Sequence, residues 1–162
     1  MNAEEERPAA RIIGVVLDEA SIGRTTPEGE HERKIAIFDL LEHNVFALEN
    51  GVSGPYRLRL AIAEKRLVFE VADENHARLT AIALSLTPFS KLIKDYFLVC
   101  ESYYEAIKTA PPARIEAVDM GRRGLHDEGS QLLVERLKGK ITTDFATARR
   151  LFTLICALHW KG

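Results

Sequence analysis

The sequence predicts an α+β fold: one N-terminal strand and helix, a three-stranded antiparallel meander, then three to four C-terminal helices packed on one face of the sheet. Two patterns carry this prediction. Between residues 56 and 86, apolar and polar side chains alternate in three short runs separated by turn residues, as half-buried strands require. From residue 87 onward, apolar side chains recur at helical spacing in segments punctuated by proline and glycine. Composition agrees, since 162 residues with 46% hydrophobic and 28% charged side chains suit one domain with a real core. The expected organisation is a flexible acidic N-terminus over 1–10, carrying Glu4, Glu5 and Glu6, followed by a single domain over 11–162.

The run 11–17 (RIIGVVL) is β-branched and apolar on both faces, which predicts a strand covered on both sides. A polar connection, 18–26, ends in Thr26 and Pro27. A capping hydroxyl followed by a proline whose missing N–H costs nothing there starts a helix to about Asn44. Glu28, Glu30 and Glu32 suit its positive pole, and Ile35, Phe38 and Leu41 are its expected apolar face. Asn50, Gly51, Ser53, Gly54 and Pro55 mark a loop. The meander follows, with Leu58, Leu60, Leu67, Phe69, Val71, Ile82 and Leu84 on one face and turns near Glu64–Lys65 and 73–76. Arg57, Arg59 and Arg66 share the face away from the helices.

Thr87 and Pro88 repeat the cap-plus-proline start, and Phe89, Leu92, Ile93, Tyr96, Cys100, Tyr103, Tyr104 and Ile107 form one stripe. Pro111 and Pro112 end that helix and open another, striped by Ile115, Val118, Leu125, Leu132 and Leu133 and ending at Gly139. The last helix, 144–160, is apolar around most of its circumference, so it is either buried in the domain or covered by a partner.

Several function classes are excluded. With 22 basic against 24 acidic residues there is no bulk attraction for polyanions, and nucleic acid is not an expected partner. Nothing approaches the roughly 18 continuous apolar residues of a membrane span, and the acidic start is no signal peptide, so a cytoplasmic location is expected. Two cysteines make no disulfide framework; Cys100 and Cys156 read as small core residues. No His-x-x-x-His or Glu-x-x-His pair supports a metal, and no cofactor is expected.

The segment 119–129 (DMGRRGLHDEG) stands out, because three glycines inside a helical pattern each cost about 1 kcal/mol against alanine. Two geometries are open. In a continuous helix, Arg122 and Gly129 lie in the apolar stripe, Asp119 and His126 lie at its edge, and Gly121 and Gly124 admit a close neighbour. In a broken one, the turn presents Arg122, Arg123 and free N–H groups to an anion. Asp119, Gly121, Arg122, Arg123, Gly124 and His126 are therefore the candidate ligand-binding residues, although an arginine in a stripe more often pairs with a carboxylate such as Asp119. The catalytic residues are unknown.

The helix, meander and helix over 26–110 follow the element order of double-stranded-RNA-binding domains, but Lys91 and Lys94 alone make no groove-straddling cluster. The segments GEHERKIAIFDLLEHN, LSLTPFSKLIKDYFLVCESYYEAI, DMGRRGLHDEGSQLL and DFATARRLFTLICALHW, spread in order over 11–162, together resemble the small alphaproteobacterial proteins of uncharacterised protein family 0262. That resemblance implies a small cytoplasmic bacterial protein and brings no activity or site residues. The expected function is a non-enzymatic binding or regulatory module. It would contact a protein partner, or a second copy, through the C-terminal helix, and hold a small anion at Arg122, Arg123 and His126. The alternative is an enzyme on a phosphorylated or carboxylated metabolite, with that cluster as anion site and His126 or Glu128 as acid or base.

Overall fold

The structure, a computed structural model, describes residues 9–160. Most of the expected N-terminal tail, 1–8, lies outside the described residues. Ala10 is already tied into the fold, accepting a hydrogen bond from the Phe46 backbone N–H (2.9 Å). β1 (Ile12–Leu17) is joined through a one-turn helix, α1 (Glu19–Ile22), to α2 (Pro27–Glu42). The cap expected at Thr26 forms, its side chain accepting from Gly29 N (3.1 Å).

The meander is present as β3 (Tyr56–Ala63), β4 (Arg66–Ala72) and β5 (Arg78–Ser85), antiparallel throughout. β1 adds to its edge in parallel, pairing Val15 with Leu58 and Leu17 with Leu60, so the sheet order is β1-β3-β4-β5. An edge strand cannot be covered like a central one, and the expectation of cover on both faces of β1 is corrected: Ile12 is buried while Val16 is 63% exposed on the outer face. Two short strands escaped the sequence reading. β2 (Phe46–Leu48) pairs antiparallel with β6 (Ile141–Thr143), joining segments about 95 residues apart. Three residues each are too few for a period to register.

The apolar face of α2 is also corrected. It buries Gly29, Arg33, Ala36 and Leu40, while Phe38 is 65% exposed and Ile35 is exposed beside it. Arg33 concealed this face, because a charge is not expected in a core. Its guanidinium donates to the carbonyls of Gly23 (2.7 Å), Leu158 (3.2 Å) and Ala157 (3.4 Å). The last two close the C-terminal end of α5 (Phe145–Leu158), where orphan carbonyls and the negative helix pole both suit a cation.

After β5, a 3₁₀ turn (Thr87–Phe89) replaces the expected cap, and no side chain caps α3 (Ser90–Thr109). α4 (Pro112–Leu137) is continuous over 26 residues, so the broken geometry does not occur. α5 starts on Asp144, whose carboxylate accepts from Thr147 N (2.8 Å). Its apolar circumference is consumed inside the fold: Leu151, Phe152, Leu154, Ile155, Cys156, Ala157 and Leu158 are all buried. Of the two explanations for that helix, burial in the domain accounts for these residues, while Phe145 at its start is 40% exposed.

The inner face of the sheet, with Leu58, Leu60, Leu67, Phe69, Val71, Ile82 and Leu84, packs against α2, α5 and the roots of α3 and α4. The distal halves of α3 and α4 do not join this layer. Between residues 98 and 125 only Ala106 is buried, so the two helices pack on each other and project as a hairpin. The expected core roles of Tyr104 and Ile107 are corrected accordingly, with exposures of 54% and 49%.

Candidate functional site

The sequence-derived cluster lies along α4 where the hairpin leaves the body. One helical turn apart, Arg122 and His126 face α3 and meet Tyr103 and Tyr96. The Arg122 guanidinium carbon lies 4.0 Å from the Tyr103 ring centroid, a cation–π contact. Arg122 also pairs with Asp119, whose other carboxylate oxygen takes Arg123 at 2.8 Å. The hydrogen bond from Arg122, reinforced by both guanidinium charges, holds the Asp119 carboxyl below its usual range. Both arginines thus share one carboxylate on their own helix.

His126 belongs to a different environment. Its ring packs 5.3 Å from that of Phe152 and 5.6 Å from that of Tyr96, centroid to centroid. Its Nε2 lies 2.7 Å from Thr153 Oγ1, and that hydroxyl uses its single proton on the Arg149 carbonyl (3.0 Å). Nε2 must therefore carry the proton and donate. Nδ1 is left buried with no partner among the described residues. Protonating it would place an N–H among aromatic rings, and burial, with the charge of Arg149 adding, lowers the His126 pKa. His126 and Glu128, two residues apart, leave the helix about 200° apart and do not face one substrate.

The three glycines separate clearly. A Cβ on Gly129 would fall 2.2 Å from the Phe152 ring, whereas one on Gly121 would meet only Val99, at 3.8 Å, and one on Gly124 would meet nothing within 4 Å. The close neighbour expected at Gly121 and Gly124 is found at Gly129.

Among its exposed side chains the hairpin carries several large apolar ones. Leu98, Tyr104 and Ile107 on α3 and Met120 on α4, the last 63% exposed, are about half or more open among the described residues. Gly124 lies about 40° round the helix from Met120, on the same open side. Sequence reasoning missed this surface because it assigned Tyr104 and Ile107 to a core stripe.

A family model described as "Uncharacterised protein family (UPF0262)" matches residues 9–161. The chain belongs to this family. A UPF0262 protein of Nitrobacter hamburgensis is 60% identical over 94% of this chain and 93% of its own length. One from Mesorhizobium japonicum is 57% identical over 97% and 98%, and one from Brucella canis 58% over 96% and 97%. The resemblance seen in the four sequence segments is thus shown across the whole described chain. No solved structure matches. Among the described residues, no helix is long and apolar enough to cross a membrane, and no group of three or more His, Cys, Asp or Glu side chains is placed to hold a metal ion.

Proposed function

We propose that this UPF0262 protein is a non-enzymatic binding module that works through the α3–α4 hairpin, with a second copy of the chain as its partner. The observation that carries the reading is the exposed apolar set Leu98, Tyr104, Ile107 and Met120 on a hairpin detached from the core. Tyr104 and Ile107 lie about 60° apart on one side of α3, and a second helix pair laid against them would complete a four-helix bundle. Charge supports a like partner. Between 98 and 125, Lys108, Arg114, Arg122 and Arg123 balance Glu101, Glu105, Glu116 and Asp119, so neither sign is left to select an oppositely charged protein. Gly124, open beside Met120, permits a close helix approach.

In this reading the Asp119, Arg122 and Arg123 cluster forms a polar rim, and an anion would bind Arg122 or Arg123 only by competing with Asp119. The test is light scattering after size exclusion, from about 1 µM to 1 mM, on wild type and on Tyr104→Lys/Met120→Lys. Dimer mass in the wild type and monomer in a variant of unchanged melting temperature is the expected result. A wild type that stays monomeric throughout overturns the reading.

A further inference from the structure

Among the described residues no helix packs on the side of the sheet away from α2 and α5, and the ladder arranges its charges in rows. Arg57 on β3, Ala72 on β4 and Arg78 on β5 are cross-strand partners, the second pair reached through a register shift between Val71 and Ala72, so two arginines flank an alanine. Their Cα atoms are two strand spacings, about 10 Å, apart. On the other side of Arg57 the parallel pairing brings Gly14, and the guanidinium uses the vacant side-chain space: Arg57 Nη1 lies 3.1 Å from where a Cβ would stand. Arg57 Nε donates to the Glu74 carbonyl (3.1 Å), which fixes the fork while leaving Nη1 and Nη2 without a described acceptor. These groups line a depression of about 340 Å³ together with Val16, Glu70 and His76.

In the next row Arg59 donates to Glu70 (2.7 Å) and to Asp18 (2.8 Å), so Glu70 is engaged by a guanidinium while one cation serves two carboxylates. Neither Arg57 nor Arg78 has a carboxylate within ion-pairing distance among the described residues. Two forked cations across a small residue match a dianion carrying several acceptor oxygens better than a single carboxylate, which one arginine satisfies. Val16 and Ala72 offer an apolar surface to the remainder of a ligand, and the volume is within the small-molecule range. The strands place no Phe, Tyr or Trp on this face, so it lacks the stacking platform that single-stranded nucleic acid uses.

The geometry points to a binding site for the phosphate group of a small phosphorylated ligand in this depression, contacted by the free Nη1 and Nη2 of Arg57 and bordered by Arg78. This site is on the opposite side of the sheet from the helices and independent of the hairpin. Inorganic phosphate is the probe, titrated into full-length protein at constant ionic strength while backbone amide NMR shifts are followed, with a nucleoside monophosphate and a sugar phosphate as second arms. Saturable shifts centred on Gly14, Arg57, Ala72 and Arg78 are expected. They should weaken at least tenfold in Arg57→Gln/Arg78→Gln, a variant that should still unfold cooperatively with the amide pattern of the wild type. Tighter binding of either organic phosphate than of phosphate alone identifies a ligand body resting on Val16. Shifts that fail to saturate, or that centre on Arg122 and Arg123, overturn the proposal. So does an RNA oligonucleotide that binds far more tightly than the monophosphate with steep salt dependence, which would make the face a backbone-tracking surface.

Discussion

Gly129 and Gly124 lie five residues apart in one helix, yet replacing each by alanine should move stability in opposite directions. In helix interiors the exchange gains up to about 1 kcal/mol of propensity at either position. At Gly129 the new methyl would stand 2.2 Å from Phe152 Cζ and 2.4 Å from Cε1. An ordinary carbon contact is about 3.5 Å, so the ring would have to retreat by about 1.3 Å. It has no room to do so, being fully buried and boxed by Phe89, Tyr96 and His126 at centroid distances of 6.5, 6.2 and 5.3 Å. Overpacking of this kind costs about 3 kcal/mol at the upper end of its range, which leaves Gly129→Ala about 2 kcal/mol less stable. At Gly124 nothing lies within 4 Å, and the propensity gain stands alone. For a chain of this length, each kcal/mol moves the melting temperature by about 2–4 °C. Thermal denaturation at low protein concentration, where self-association does not contribute, should show Gly129→Ala falling by about 4–8 °C and Gly124→Ala rising by about 1–4 °C. Shifts of the same sign in the two variants would refute the reasoning.

Other consequences can be measured in the same way. Arg33→Met removes the donors to Gly23, Ala157 and Leu158 and should lower the unfolding free energy by about 2–3 kcal/mol in urea titrations, with Arg33→Lys losing less; a change under about 0.5 kcal/mol would dissociate the carbonyl clamp from stability. Thr147→Val keeps the shape of a fully buried side chain but strands the Val45 N–H that its Oγ1 accepts (2.8 Å), at about 1–3 kcal/mol, whereas Thr147→Ser should retain most of it. His126 has a folded pKa below its ordinary 6.5, so the unfolded chain takes up the proton first. Stability due to this group is therefore complete above about pH 6.5 and is lost as pH falls from there toward the folded value. His126→Asn should flatten that part of the stability profile, and an unchanged acid limb would show that other groups set it.

The elements that sequence periodicity reveals are those whose burial is decided locally. β3, β4 and β5 alternate because one face is buried and the other is open, and α5 is apolar all round because it is enclosed. The misreadings occurred where a distant partner decides. Arg33 is buried only because the carbonyls of Ala157 and Leu158, more than 120 residues away, need a donor. β2 and β6 exist only as each other's complement. Tyr104 and Ile107 fit the stripe of α3 by spacing, but α3 outruns the body it packs on, and spacing carries no information about where a helix leaves its support. At the candidate cluster, the pairing of Arg122 with Asp119 was visible as an i,i+3 relation, while the enclosure of His126 by Phe152 and Thr153 depends on how α5 crosses α4. Strand alternation placed Arg57, Arg59 and Arg66 on the outer face, but the position of Arg78 beside Ala72 depends on a register shift that alternation does not show.

The β2–β6 ribbon and the Arg33 clamp have a consequence for biosynthesis. Both join the first third of the chain to its last twenty or so residues, so neither forms while those residues are still inside the ribosome. Until α5 emerges, the inner face of a sheet already made has no complete cover, and Leu58, Leu60, Phe69 and Val71 meet solvent or a chaperone. The fold is thus completed only once α5 has been made. A chain that stalls or is cut before Phe145 should emerge as an aggregation-prone fragment rather than as a shorter working domain.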